Sequence, residues 1–123
     1  MKKLNLACNN LTGSISDELS KLELLEELDL SFNALRGSIP SYFKFLKSLI
    51  KLNLSSNVFT NTLPSEITHL QNIETIILSN NSFSGELPPQ LSNLTMLRVF
   101  NVSNNLFQGN AKILKNLTNL SKF

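Results

Sequence analysis

The sequence has few of the residues on which catalysis, metal binding and disulfide bonding depend. Cys8 is its only cysteine, so an internal disulfide and a cysteine-rich metal site are both excluded. His69 is its only histidine, and no Cys, Asp or Glu stands at a spacing that would complete a metal site or a catalytic triad with it. Phosphate-binding, dinucleotide-binding and kinase motifs are missing too. The residues therefore predict neither an enzyme nor a protein that carries a cofactor or a metal.

Charge and long apolar runs are scarce as well. Charged residues make up 16% of the chain, and the net charge is only +2. The basic residues are scattered and form no stripe with interleaved aromatic residues, so nucleic acid is not a predicted partner. No apolar stretch approaches the roughly 20 residues that a membrane span requires. Because no continuous apolar segment follows the basic start of the chain, no signal peptide is predicted.

What the sequence does have is an internal repeat. When the chain is shifted by 24 residues, its leucines superimpose, and four successive units keep the spacing without an insertion or deletion. One apolar column contains Leu4, Leu28, Leu52, Ile76 and Phe100, and a second contains Leu6, Leu30, Leu54, Leu78 and Val102. A polar column, interpreted as a structural ladder, contains Asn9, Asn33, Asn57, Asn81 and Asn105.

One unit can be interpreted physically. Leu28, Asp29 and Leu30 alternate between apolar and polar, which predicts a short strand whose two leucines face inward. The amide of Asn33 can donate and accept at the turn that follows. Phe43, Leu46 and Leu49 then recur at intervals of three, which favours a short 3₁₀ turn.

One such unit cannot bury its leucines alone, but stacked units can. The sequence therefore predicts an α/β solenoid with a parallel β-sheet on its concave face and short 3₁₀ or irregular convex segments.

Three of the units read LDLSFNALRGSIP (28–40), LNLSSNVFTNTLP (52–64) and IILSNNSFSGELP (76–88). They resemble the plant-type extracellular leucine-rich repeat, LxxLxLxxNxLxGxIPxxLxxL, and the resemblance covers essentially the whole chain. It implies a right-handed superhelix. The pattern is broken at three places, by Ser16 in place of Pro, by Asn61 in place of Gly, and by Ala111-Lys112 in place of Ile-Pro.

The resemblance also implies a function. The family is found mainly in receptor-like kinases and receptor-like proteins, whose repeats bind a peptide, steroid or protein ligand, or a co-receptor, outside the cell at the plasma membrane. The leading expectation is a ligand-binding segment of such an ectodomain, and a longer parent protein could carry a kinase domain. The alternative is a secreted inhibitor of the polygalacturonase-inhibiting type. We interpret residues 1–123 as one domain of about five units, a fragment without N- or C-terminal caps.

The candidate ligand contacts are the residues that the strands direct outward on the concave face. They are Glu27, Asp29, Phe32, Lys51, Asn53, Thr75 and Ile77. Single exposed apolar residues are common on protein surfaces, so a contact role for Phe32 or Ile77 competes with an ordinary exposed side chain. Lys3, Glu27 and Lys51 are expected to pair with one another across strands.

Several Asn-x-Ser/Thr sequons predict N-glycosylation in the secretory pathway. The candidate sites are Asn93 and Asn116, which fall on roomy connectors, followed by Asn10 and Asn80. A repeat rich in Asn, Leu and Ser also produces sequons by accident, and Asn53 and Asn101, on the concave strands, fit that explanation.

Overall fold

Each repeat contributes one strand to a parallel sheet. The computed structural model describes residues 1–109. The five strands of this concave sheet, in spatial as well as sequence order, are β1 (Lys3–Asn5), β3 (Glu27–Asp29), β5 (Lys51–Asn53), β7 (Thr75–Ile77) and β9 (Val99–Asn101). Each strand aligns with the next at the repeat spacing, so that Leu4 lies beside Leu28 and Leu52 beside Ile76. The predicted leucine-rich repeat solenoid is confirmed.

The inward residues of neighbouring strands bury one another. Leu52, Leu54, Ile76 and Leu78 are completely inaccessible to solvent. A single repeat has only one such layer, so this burial depends on the repeats on both sides.

A second set of short strands runs along one side of the solenoid. These lateral strands are β2 (Thr12–Gly13), β4 (Ala34–Gly37), β6 (Val58–Phe59), β8 (Ser84–Glu86) and β10 (Leu106–Gln108). They pair in parallel as β2-β4-β6 and β8-β10. Phe59, Phe83 and Phe107 stack behind them, with ring centroids 5.9 and 6.1 Å apart.

Asn61 shows how the structure accommodates a departure from the family pattern. The glycines at this column have φ between +76° and +94°, and Asn61 adopts the same left-handed region at φ 68°. Asn tolerates this region better than most residues. Its side-chain amide also donates to Ser38 Oγ at 2.6 Å, which ties the third repeat to the second.

Four short 3₁₀ helices form the convex side. They are η1 (Asp17–Lys21), η2 (Ser41–Phe45), η3 (Ser65–His69) and η4 (Pro89–Asn93). The predicted 3₁₀ turn in the second unit is thus confirmed, and Phe43, Leu46 and Leu49 are fully buried beneath it.

Ser16 stands where the family pattern has Pro, and it caps η1. Its Oγ accepts from the backbone N–H of Glu18 at 3.2 Å, which satisfies one free donor of the helix. Its carbonyl accepts from the hydroxyl of Tyr42 in the next repeat. Burial, with a smaller contribution from Asp17, raises the pKa of Tyr42 to about 12. The bond to Ser16 Oγ is the one that this departure adds, because proline would still present its carbonyl to Tyr42 but has no side-chain acceptor for Glu18.

The asparagine column joins successive repeats by hydrogen bonds. The side chain of Asn57 donates to the carbonyls of Leu30, Leu54 and Ser55 and accepts from the backbone N–H of Leu35. Asn33, Asn81 and Asn105 bond in the same way to their own turns and to the preceding repeat. Each amide satisfies backbone groups that a tight turn inside the stack would otherwise leave unpaired.

Candidate ligand-binding face

The candidate ligand contacts lie on the concave sheet and the turn that follows each strand. Three outward columns define this concave face. They are Lys3, Glu27, Lys51, Thr75 and Val99; then Asn5, Asp29, Asn53, Ile77 and Asn101; then Cys8, Phe32, Ser56, Asn80 and Asn104. The structure therefore brings all seven predicted contact residues onto one continuous surface.

Charge on this face is confined to the first three concave strands. Lys3 Nζ lies 3.9 Å from a carboxylate oxygen of Glu27, and both side chains are largely exposed. Within residues 1–109 Lys51 makes no ion pair, although it lies beside Glu27 in the sheet. The expected pairing thus holds for Lys3 alone. A shallow depression of about 180 Å³ lies among these residues, with Asp29 also in its lining.

Two of the predicted contact residues already have structural partners. Asp29 Oδ1 accepts from the backbone N–H and the hydroxyl of Ser31, at 3.0 and 2.6 Å. Asn53 Oδ1 makes the same pair of bonds with Ser55. These side chains close the turn after each strand, so a ligand can use only their remaining polar atoms.

Phe32 is the unusual residue of the third column. The residues of this column have φ between 55° and 60°, the left-handed region. Asn104 donates to Asn80 Oδ1 at 2.7 Å, and Asn80 reaches Ser56 Oγ at 3.5 Å, so small polar residues suit the column. Phe32 takes the same conformation although it is bulky, and it remains 61% exposed. A bulky residue in this region costs free energy, and the limited burial of Phe32 offsets little of that cost.

The other end of the concave face is neutral. Thr75 and Ile77 are half-buried on β7, and Val99 and Asn101 are half-buried on β9. Ile77 therefore presents only part of its side chain to solvent, whereas Phe32 presents most of its ring. Of the two apolar candidates, Phe32 is the better placed to anchor a partner.

The candidate glycosylation sites differ in whether their amides are free. Asn10 and Asn93 are exposed, and neither side chain has a hydrogen bond to another part of residues 1–109. Asn80 has both ends of its amide engaged in the third column, where a glycan would displace those contacts. Asn101 accepts from Ser103 through Oδ1. Asn116 lies outside the described residues, as do Ala111 and Lys112.

The convex side carries a groove that the sequence analysis did not identify. This convex groove has a volume of about 760 Å³ and is lined by residues that include Lys44, Phe45, Lys47, His69, Gln90 and Asn93. Phe45, His69 and Asn93 follow one another at the repeat spacing. Their common position at the ends of the 3₁₀ helices is the signal in the sequence that marks them.

Residues 1–109 contain no group of three or more His, Cys, Asp or Glu side chains that could hold a metal ion. None of the helices there has the length and apolarity needed to cross a bilayer.

Comparisons with known proteins identify the repeat. Two leucine-rich repeat family models match the chain, one over residues 25–83 and the other over residues 1–22. No curated protein sequence matches it. The chain belongs to the leucine-rich repeat family, and its repeats are of the plant extracellular type.

Several similar solved structures are plant receptor ectodomains, and one is a plant ice-binding protein with 30% identity and a TM-score of 0.83 over 87% of this chain. One is the ectodomain of the Arabidopsis thaliana receptor kinase GASSHO1/SCHENGEN3 in complex with CASPARIAN STRIP INTEGRITY FACTOR 2, with 34% identity and a TM-score of 0.90 over 94% of this chain. A second is the Arabidopsis receptor kinase HAESA with an extended IDA peptide hormone, with 30% identity and a TM-score of 0.95 over 100% of this chain. A third is the ectodomain of the Arabidopsis thaliana receptor kinase SOBIR1, with 35% identity and a TM-score of 0.88 over 98% of this chain.

These receptors are longer than the chain. It spans 14% of the GASSHO1/SCHENGEN3 structure, 21% of the HAESA structure and 66% of the SOBIR1 structure. Two of the three are complexes, one with CASPARIAN STRIP INTEGRITY FACTOR 2 and the other with a peptide hormone ligand. The resemblance is thus to a stretch of repeats within a ligand-binding ectodomain.

Proposed function

We propose that the chain is a ligand-binding segment of the ectodomain of a plant receptor-like kinase or receptor-like protein, located outside the cell at the plasma membrane. The observation that carries the proposal is the contrast within each repeat. Inward positions are apolar in every repeat and fully buried in the middle of the stack, whereas outward positions differ between repeats: the first three strands carry charge, an aromatic ring follows the second, and the last two strands are neutral. Packing in the core explains the apolar residues at the inward positions. Contact with a partner is the simplest explanation for the residues at the outward positions.

The contacts favour a partner that combines an apolar group with a charged or polar segment. Phe32 offers an exposed ring of the kind that anchors protein interfaces. Lys51, whose ammonium is unpaired within residues 1–109, and the ion-paired Glu27 offer opposite charges one strand apart. A peptide, or a loop of a co-receptor, has both kinds of group.

The test compares concave and convex substitutions in the same chain. The protein would be secreted from plant cells, immobilised, and exposed to peptides from extracellular plant fluid, with the bound peptides identified by mass spectrometry. Phe32→Asn and Lys51→Ala should reduce the capture of any peptide that binds reproducibly. Lys44→Ala, on the convex side, is the matched control. If Lys44→Ala reduced capture as much as the concave variants, the assignment of the concave face would be wrong.

The alternative is a secreted inhibitor of the polygalacturonase-inhibiting type. Because the same solenoid serves both functions, the coding sequence that flanks this chain distinguishes them best. A membrane span followed by kinase motifs would establish a receptor kinase, whereas a short tail with a Cys-containing cap would favour the inhibitor. Inhibition of a fungal polygalacturonase by the purified chain would be direct support for the alternative.

A further inference from the structure

The convex groove is built around a column of three exposed residues. Phe45, His69 and Asn93 are the last residues of η2, η3 and η4, so they occupy equivalent places in three consecutive repeats. All three are exposed, and the ring of Phe45 is 51% accessible. The groove therefore runs along the stack, from an aromatic ring at one end to an asparagine side chain at the other.

The lining of the groove combines the ammonium groups of Lys44 and Lys47 with several side-chain amides, and such donors suit a ligand rich in hydroxyl groups. None of its lining residues is acidic, and amide groups such as that of Gln90 can both donate and accept. Lys44 Nζ lies 5.3 Å from the centroid of the Phe45 ring, which fixes one face of that ring beside a cation. Sugars match such a surface, because a pyranose ring has an apolar C–H face that packs on an aromatic ring and hydroxyls that bond to amides.

Asn93 can supply that ligand covalently. It begins the sequon Asn93-Leu94-Thr95, and its side-chain amide is free within residues 1–109. We propose that an N-linked oligosaccharide on Asn93 lies back along the convex groove, so that its first sugar rings cover His69 and pack against Phe45. The proposal rests on the extracellular location proposed above, because N-glycosylation requires the secretory pathway.

The reach of the glycan fits the spacing of the repeats. His69 is one repeat from Asn93 and Phe45 is two, and neighbouring strands lie about 4.8 Å apart. Two spacings amount to roughly 10 Å on the concave sheet and to more on the longer convex arc, so a chain of about three linked pyranose rings is needed to reach Phe45. The glycan would thus shield the exposed Phe45 ring, and it would leave the concave face as the accessible side of the solenoid.

His69 makes the proposal testable because it is the only histidine in the chain. The full chain would be secreted from plant cells, the occupancy of Asn93 measured by mass spectrometry, and the rate of His69 modification by diethylpyrocarbonate determined. We expect modification to be at least about three-fold slower in the glycosylated protein than in Asn93→Gln. Enzymatic deglycosylation of the folded wild-type protein should give the same increase, which guards against misfolding of the variant. Asn10→Gln, at a second sequon whose side chain is free within residues 1–109, is the control and should leave the rate unchanged.

Phe45 distinguishes a glycan that is held in the groove from one that only hangs near it. In the glycosylated protein Phe45→Ser should restore most of the His69 reactivity, and Phe45→Tyr should not. An occupied Asn93 with equal His69 reactivity before and after deglycosylation would overturn the groove proposal while leaving the proposed function intact. An unmodified Asn93 in a secreted, peptide-binding chain would overturn the modification itself. A chain that enters the secretory pathway behind an added secretion signal but captures no peptide would instead count against the proposed function.

Discussion

Strands β1 and β5 have the same sequence, Lys-Leu-Asn, yet their surroundings differ. Leu52 and the following Leu54 are fully buried, whereas Leu4 is only half-buried and Leu6 is 37% exposed. The cause is position in the stack. Strand β5 lies between β3 and β7, while β1 is at the edge of the sheet. The comparison shows that burial in this protein is determined by the neighbouring repeats and not by the local sequence.

The comparison can be tested most strongly with the matched leucines that follow the two strands. Leu54→Ala should lower the free energy of unfolding by about 2–5 kcal/mol, because it leaves a cavity between packed repeats. Leu6→Ala should cost less than about 1 kcal/mol, because that side chain is already partly in water. Urea unfolding followed by circular dichroism would measure both. Equal losses would show that the first repeat packs as tightly as the third.

The asparagine ladder gives the next largest contrast. Asn57→Ala should cost about 1–3 kcal/mol, since it leaves buried backbone groups without partners. Asn9 is exposed and its side chain donates only to the carbonyl of Ala7, so Asn9→Ala should change stability by less than about 0.5 kcal/mol. The same unfolding experiment applies. A large effect at Asn9 would mean that its turn is held more firmly than the hydrogen bonds indicate.

Phe32 and Ser56 occupy the same position in the turns after β3 and β5. The proposed role of Phe32 in binding implies a cost in stability that Ser56 does not carry. Phe32→Asn should raise the free energy of unfolding by about 0.5–1 kcal/mol, because Asn tolerates the left-handed conformation that Phe32 adopts. Ser56→Asn, in the turn after β5, should be nearly neutral. Thermal unfolding would detect the difference. A destabilised Phe32→Asn variant would indicate that the ring packs more closely than its exposure suggests.

The lysines of the two strands give the smallest effect. Lys3 is ion-paired with Glu27 and Lys51 is not, but the Lys3 pair is exposed and contributes about 0–1 kcal/mol. Lys3→Ala should therefore lower the free energy of unfolding by no more than about 0.5 kcal/mol at low salt, and Lys51→Ala should leave it unchanged. Adding salt should remove even the Lys3 difference. A salt-resistant loss at Lys3 would require another role for its side chain.

Most of the fold could be predicted from the sequence because the period constrains it. Once Leu28, Leu52 and Ile76 share a column, stacking follows from the need to bury them, and the register of the concave sheet is set by the repeat length. The pairing of the lateral strands could not be predicted in this way. Arg36 lies beside Val58 and Thr12 beside Ala34, which is a separation of 22 residues, seen also in the hydrogen bond from Leu35 to Asn57. The separation of 22 residues, rather than the 24 of the repeat, depends on the path of the turns, and the repeat spacing in the sequence does not determine that path.

The candidate site was predictable in position but not in detail. Alternation along the strands places Glu27 and Lys51 outward, but it does not reveal that Asp29 and Asn53 are engaged by Ser31 and Ser55. Those bonds join residues two apart in the chain, and they depend on the turn that follows each strand. The convex groove was missed for a related reason, since its residues share no apolar pattern and only the repeat spacing connects them.

The asparagine ladder also bears on how such a chain can change over generations. From Asn33 to Asn105 each rung bonds to its own turn and to the repeat immediately before it, at the same separations each time. Duplication or loss of one whole unit, as unequal recombination produces, would therefore reconnect every rung to an equivalent partner. An insertion of a single residue in a turn would instead displace one rung from its partners and break the stack there. Such a gene can lengthen or shorten by whole repeats while the outward residues of each copy diverge. New binding surfaces can therefore evolve without a change in the solenoid fold.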